Sequence, residues 1–198
     1  NSDNLIMLVT DFPDLPPPLK SALIRATVQQ HEGRLFEADA LFRQLSRQLP
    51  LHPLTAHSAG GFELLKGDLA AAWRMFEHRL DLPYYTHRPF AKLATPYWAG
   101  ENLAGGSLLV FSDLGLGDAI LLARFMPWVA GRVGKLYFQA NEGTAAFWRR
   151  QFPGVEVREL NDPLPDCDAR VNMFCLPRLY GADASNLPKP PYMTAGAD

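Results

Sequence analysis

Gly115-Leu116-Gly117-Asp118 is the densest cluster of chemistry-bearing residue types in this 198-residue chain. Glycines let a backbone come close to a ligand, and the free N–H groups at a helix start attract anions. The carboxylate in the cluster has two readings. Asp118 is either an acid of a first helical turn, favoured by the free N–H groups and the helix dipole, or a general base taking a proton from a substrate hydroxyl. Arg124, six residues on, falls on a different part of the same helix. It either makes an ion pair within the fold or faces an anionic ligand. Asp118 is the candidate catalytic residue, and Gly115, Leu116, Gly117 and Arg124 are the candidate substrate-binding residues.

Spacing excludes several other chemistries. A dinucleotide fingerprint needs a third glycine where Ile120 stands, and no Gly-Lys-Ser/Thr follows to make a P-loop. There is no Gly-x-Ser-x-Gly elbow. Cys167 and Cys175 have no histidine partner legible in the sequence, and His52, His57, His78 and His87 lack metal-ligand spacing. Asp162, Asp166 and Asp168, set around Pro163 and Pro165, read as a solvated turn. No cofactor and no metal are expected.

The loop must be held by a strand before it and a helix after it. Residues 108–111 read as a buried strand, and residues 119–130 as a helix that Pro127 kinks or ends. Further strands are expected at 135–139, 155–157 and 169–172, with a helix over 144–151. Strands alternating with helices predict a parallel sheet with right-handed crossovers, a small Rossmann-like lobe over 107–187. Pro188, Pro190 and Pro191 mark an exit linker over 188–198.

The first half of the chain follows another pattern. Gly33, Ala38 and Phe42 recur 34 residues later as Gly67, Ala72 and Phe76, and Ala26 recurs as Gly60. That is the period of a tetratricopeptide helix–turn–helix unit. Two hairpins are therefore expected over 19–86. Ala22, Leu23, Ala26 and Val28 face inward in the first helix, with Leu35, Ala38, Leu41, Phe42 and Leu45 in the second. The second hairpin, 54–82, breaks at Gly67-Asp68 and carries Leu69, Ala72, Trp73, Phe76 and Leu80. Residues 1–18 read as an N-terminal tail, whose prolines forbid helix interior. Residues 87–106 read as an aromatic, proline- and glycine-bearing linker. Two repeats are too few to close a core, so the array is expected to pack on the second domain through Trp73 and Trp98. Its helical groove suits a protein or peptide partner, with His57 as the candidate partner-binding residue.

Composition narrows the class. The chain is 47% hydrophobic and 20% charged, with a net charge of −2 and no Lys/Arg run longer than two. That argues against nucleic-acid binding driven by bulk charge. No apolar stretch reaches membrane-spanning length. Two cysteines fit a reducing cytoplasm.

The ordered runs Trp73-Arg74-Met75-Phe76-Glu77-His78-Arg79, Trp98-Ala99-Gly100, Leu108-Leu109-Val110, Gly115-Leu116-Gly117-Asp118 and Ala123-Arg124-Phe125 resemble bacterial tetratricopeptide-repeat glycosyltransferase-like proteins. Phe152-Pro153-Gly154-Val155, Leu176-Pro177 and Pro191-Tyr192-Met193 continue the resemblance, which covers roughly residues 19–195. It implies α + α/β architecture, two tetratricopeptide hairpins followed by the first lobe of a GT-B fold, with Asp118 as the acceptor-side base. Ser112-Asp113-Leu114 departs from the family, which often has an acidic residue followed by Gln there. The expected function is the repeat-plus-acceptor-side half of a glycosyltransferase-like protein, inactive without a second nucleotide-sugar-binding lobe. A non-catalytic interaction module using the helical groove is the alternative.

Overall fold

A computed structural model describes residues 15–50, 52–82, 85, 90, 93–113 and 115–194. The apolar patch from Leu5 to Val9 and residues Pro83, Tyr84 and Pro89 lie outside them. The chain divides into two compact units, Asn1–Ala91 and Lys92–Asp198.

The first unit is helical. Helix α1 (Pro17–His31) packs on α2 (Leu35–Gln48), α2 packs on α3 (Pro53–Lys66), and α3 packs on α4 (Leu69–Phe76). A 3₁₀ turn, Glu77–Asp81, continues α4. The prolines open helices here. Pro17 and Pro18 occupy the first turn of α1, and Pro53 that of α3. A proline at that position lacks only an N–H that would have had no helical partner. Helix α1 thus begins two residues before the expected Leu19.

Gly33 and Gly67 both lie in the left-handed region, at φ 75° and 83°. Helices commonly end on a residue in that conformation, which only glycine adopts freely. This gives the recurrence of glycine at those two positions a backbone cause. Asp68 then caps α4 by accepting a hydrogen bond from the Ala71 N–H at 2.9 Å.

The buried stripes are Ala22-Leu23-Ala26 on α1, Ala38-Phe42-Leu45 on α2 and Ala72-Trp73-Phe76 on α4. Val28, Leu41, Leu69 and Leu80 are half-buried, and Leu35, in the first turn after Gly33, is exposed. Among the described residues no helix is long and apolar enough to cross a membrane.

The second unit is an α/β layer. Its four parallel strands are β1 (Leu103–Phe111), β2 (Val133–Gln139), β3 (Glu156–Arg158) and β4 (Ala169–Asn172), in spatial order β3-β2-β1-β4. Between β1 and β2 run α5 (Leu116–Leu122), a 3₁₀ turn (Ala123–Phe125) and α6 (Met126–Ala130). The sequence predicts one helix over 119–130 with Pro127 near its end. The structure breaks that stretch earlier, and Pro127 opens α6 instead. Helix α7 (Ala145–Gln151) joins β2 to β3, and α8 (Leu176–Tyr180) follows β4. Tyr97 adds a parallel bridge beside Arg170 at the outer edge of β4.

Candidate functional site

Register sorts the strand side chains into two faces, because residues in register on neighbouring strands project to the same side. One face carries Leu108, Val110, Leu136, Phe138, Val157, Ala169 and Val171, all buried. On that face Trp148 of α7 stands edge-on to Phe138, 5.3 Å between ring centres at 82°.

The other face is different. Its last row runs Asn172, Phe111, Gln139, Arg158 from β4 to β3, and the row beneath runs Arg170, Leu109, Tyr137, Glu156. Strands buried on both sides normally read as apolar throughout. Here five of those eight positions are polar or charged, and they gather toward the carboxyl ends of the strands.

The strand order places the site. The chain steps from β1 to β2 to β3 in one direction, then returns to set β4 on the far side of β1. In open parallel sheets, ligand crevices form outside the carboxyl ends of the strands where the order reverses, which is here between β1 and β4. Two segments meet there, the stretch leaving Phe111 and the one leaving Asn172. Asn172 joins them. Its amide donates to the Asp113 carboxylate at 2.6 Å, and its carbonyl accepts from the Phe174 N–H at 2.8 Å. The Ser112 hydroxyl is buried beside them with no hydrogen-bond partner among the described residues.

Gly115, Leu116, Gly117 and Asp118 lie at this end of β1, all exposed. The first helical hydrogen bond runs from the Ala119 N–H to the Gly115 carbonyl at 3.0 Å, which puts Asp118 in the first turn of α5. A side chain at Gly115 would meet the Asp118 carboxylate at 3.6 Å, so the acid leans back over the glycine. Leu116 and Leu121 stay exposed nearby, at 44% and 48%.

The other predicted residues stand elsewhere. Arg124 is engaged within the fold. Its Nε donates to the Leu121 carbonyl at 2.9 Å, and its guanidinium lies 5.0 Å from the centre of the Tyr192 ring. Thr194 exchanges two hydrogen bonds with Gln151. The stretch read as an exit linker is thereby pinned at 192–194 to residues on both sides of β2.

His57 belongs to the helical unit. Its ring packs edge-on against Phe76 at 5.5 Å, and Nδ1 has no hydrogen-bond partner among the described residues. Burial, with a smaller push from the nearby Arg79 charge, lowers its pKa to about 4. A neutral, half-buried imidazole packed on Phe76 suits packing.

Two further groups have partners of their own. Asp168 accepts from the Ser107 N–H and hydroxyl at 2.7 and 2.8 Å, which holds its carboxyl below the usual range. Burial pushes the Cys167 thiol up, the opposite of an activated thiolate. Among the described residues no three His, Cys, Asp or Glu side chains stand together as a metal site.

No protein-family model matches this chain, and no solved structure matches it. A curated relative, the protein FlbA of Caulobacter vibrioides, is 29% identical over 97 residues. The match covers 48% of this chain and 16% of FlbA, so the chain spans well under a fifth of that relative.

The sequence reading missed Asp113, Gln139, Arg170 and Asn172. A signal for Gln139, Arg170 and Asn172 exists. Tyr137/Gln139, Glu156/Arg158 and Arg170/Asn172 are each two residues apart, in or beside segments read as strands.

Proposed function

We propose that this chain is the repeat-plus-acceptor-side part of a glycosyltransferase-like protein, with two tetratricopeptide hairpins and a Rossmann-like first lobe. The observation that carries the reading is the position of Gly115–Asp118. The one glycine-acid loop singled out from the sequence stands at the carboxyl end of β1, beside the point where strand order reverses. The ordered series of family-like motifs supports it, as does the shared left-handed glycine 34 residues apart.

In this reading an acceptor hydroxyl lies against the exposed Asp118, whose carboxylate takes the proton as the oxygen bonds to the anomeric carbon of the donor sugar and the bond from that carbon to the nucleotide's phosphate breaks, releasing the nucleotide. Asn172 and Asp113 fix the floor of the crevice. The donor nucleotide is bound by a second lobe, so this chain alone is expected to transfer negligibly.

The test is Asp118→Ala in the full-length gene product, assayed for sugar transfer. Asp118 is exposed, so the melting temperature should hold while the rate falls roughly 100-fold or more, the usual scale of a lost general base. A rate within tenfold of wild type defeats the assignment. A parent gene without a second lobe defeats the enzymatic reading altogether.

A further inference from the structure

Arg170 carries a charge that the fold leaves unanswered. It stands second in β4, on the polar face of the sheet, and is only 6% exposed. Its Nε and Nη1 are enclosed and have no hydrogen-bond partner among the described residues. The ring of Tyr97, itself 46% exposed, lies 4.3 Å from the guanidinium carbon. A ring face answers part of the charge but accepts from none of the N–H groups in the guanidinium plane. Buried N–H groups are nearly always paired, and a buried ion without a partner is costly.

The acids nearest in the strand register are held by other groups. Asp168 accepts from the Ser107 N–H and hydroxyl, Glu156 pairs with Lys135 and Arg158, and Asp113 accepts from the Asn172 amide. The cover over this face is a loop. Crossovers between parallel strands are usually helical, but the one from β3 to β4, residues 159–168, contains no helix. A right-handed crossover sets it on the polar face, opposite α7. The Gln139 amide of that face donates to its Leu160 carbonyl at 3.1 Å.

We infer that Arg170, stacked on Tyr97, binds the carboxylate of a small molecule on the polar face of the sheet. A guanidinium offers its Nε–H and one Nη2–H side by side, matching the two oxygens of a carboxylate. Nη2 is not among the enclosed atoms, so this edge opens there to an approaching ligand. The ring behind the guanidinium holds its plane, so little freedom is lost on binding.

Charge sets the ligand class. One cation balances a monoanion. A phosphate would bring further negative charge to a region that already carries Asp168, Glu156 and Asp113. The site is separate from the loop at Asp118 and stands independently of the transfer reading.

The experiment follows the arginine Nε–Hε signals of the isotope-labelled whole chain by NMR. Arg170→Met, which keeps an aliphatic stem and removes the charge, identifies the Arg170 signal by its loss. Arg170→Lys, which keeps the charge without the fork, identifies it should the first variant not fold. Sodium acetate should shift that signal saturably, with half-saturation at least tenfold below that of sodium chloride and below that of sodium phosphate. Acetate should also raise the melting temperature of the wild type more than chloride does, and either variant should lose that difference. Equal half-saturation for acetate and chloride, no shift with acetate, phosphate binding ahead of acetate, or a melting difference that survives in the variant each overturns the proposal.

Discussion

The helical unit and the sheet unit treat their polar and special residues in opposite ways. In the helical unit the conspicuous residues serve packing. His57 is pressed against Phe76, and Gly60 faces α4, where a side chain would meet Met75 Cβ at 3.2 Å and the Ala72 carbonyl at 3.3 Å. In the sheet unit one face is apolar at every paired position, and the other sets Asn172, Gln139, Arg158 and Arg170 around the buried Leu109, Phe111 and Tyr137 at its carboxyl end. A helix that buries one stripe can hide a polar residue only by enclosing it. A strand has two faces, so it can keep one apolar and set polar groups on the other.

The largest expected effect tests that division of labour between the faces. Trp148 is 1% exposed, and its ring meets Phe138, Phe147 and Phe152. Trp148→Ala should cost roughly 3–5 kcal/mol, the range for truncating a buried aromatic ring. Gln139→Ala on the polar face removes one hydrogen bond, from Nε2 to the Leu160 carbonyl at 3.1 Å, and should cost only about 1 kcal/mol. Urea unfolding of the two variants measures the ratio. Equal losses would mean that the polar face holds the fold together as strongly as the apolar one, and the contrast between the faces would collapse.

The same contrast explains what was legible beforehand. The strand at 169–172 is found at the expected residues, and those at 108–111 and 135–139 extend further toward their amino ends. Short apolar runs bounded by turns announce themselves locally. The pairing Asp113–Asn172 could not be read, because it joins residues 59 apart and depends on β4 crossing to the far side of β1. Proline breaks a helix interior but also opens a helix, so reading it only as a breaker puts the start of α1 two residues late, at Leu19 in place of Pro17. The residue assigned to the groove, His57, carries no local mark of burial. Enclosure comes from Phe76, on a helix whose register against α3 no periodicity specifies.

Enclosure of His57 has a pH signature. Its folded pKa of about 4 lies below the unfolded value of ~6.5. Between those values the unfolded chain binds the proton and the folded chain does not, so stability rises with pH across that window. Its contribution is complete above about pH 6.5, falls as the pH drops toward 4, and falls no further below it. The full loss is on the order of 3.5 kcal/mol, from the fall of the pKa from ~6.5 to about 4 at ~1.4 kcal/mol per tenfold. Urea midpoints at pH 7.5, 6 and 5 should decline more steeply for wild type than for His57→Leu. Parallel declines would show that the imidazole is solvated, and would return His57 to the set of surface candidates.

The smallest effect concerns two adjacent glycines of α3 and sharpens the contrast within the helical unit itself. A methyl at Gly61 meets nothing within 4 Å, so Gly61→Ala should stabilise by up to about 1 kcal/mol through helix propensity alone. Gly60→Ala gains the same propensity but sets a methyl against Met75 Cβ and a backbone carbonyl, neither of them a flexible side-chain end. Helix α4 would have to shift, and overpacking of this kind costs about 1–3 kcal/mol, so the net change should be destabilising. Thermal melts of the two variants should therefore move in opposite directions. The position 34 residues earlier is Ala26, wholly buried yet tolerated, so α1 and α2 already accommodate a methyl there. If Gly60→Ala also stabilised, α4 could yield by the few tenths of an ångström required. The two hairpins would then be interchangeable at this position, and the glycine would be incidental to how closely α3 and α4 pack.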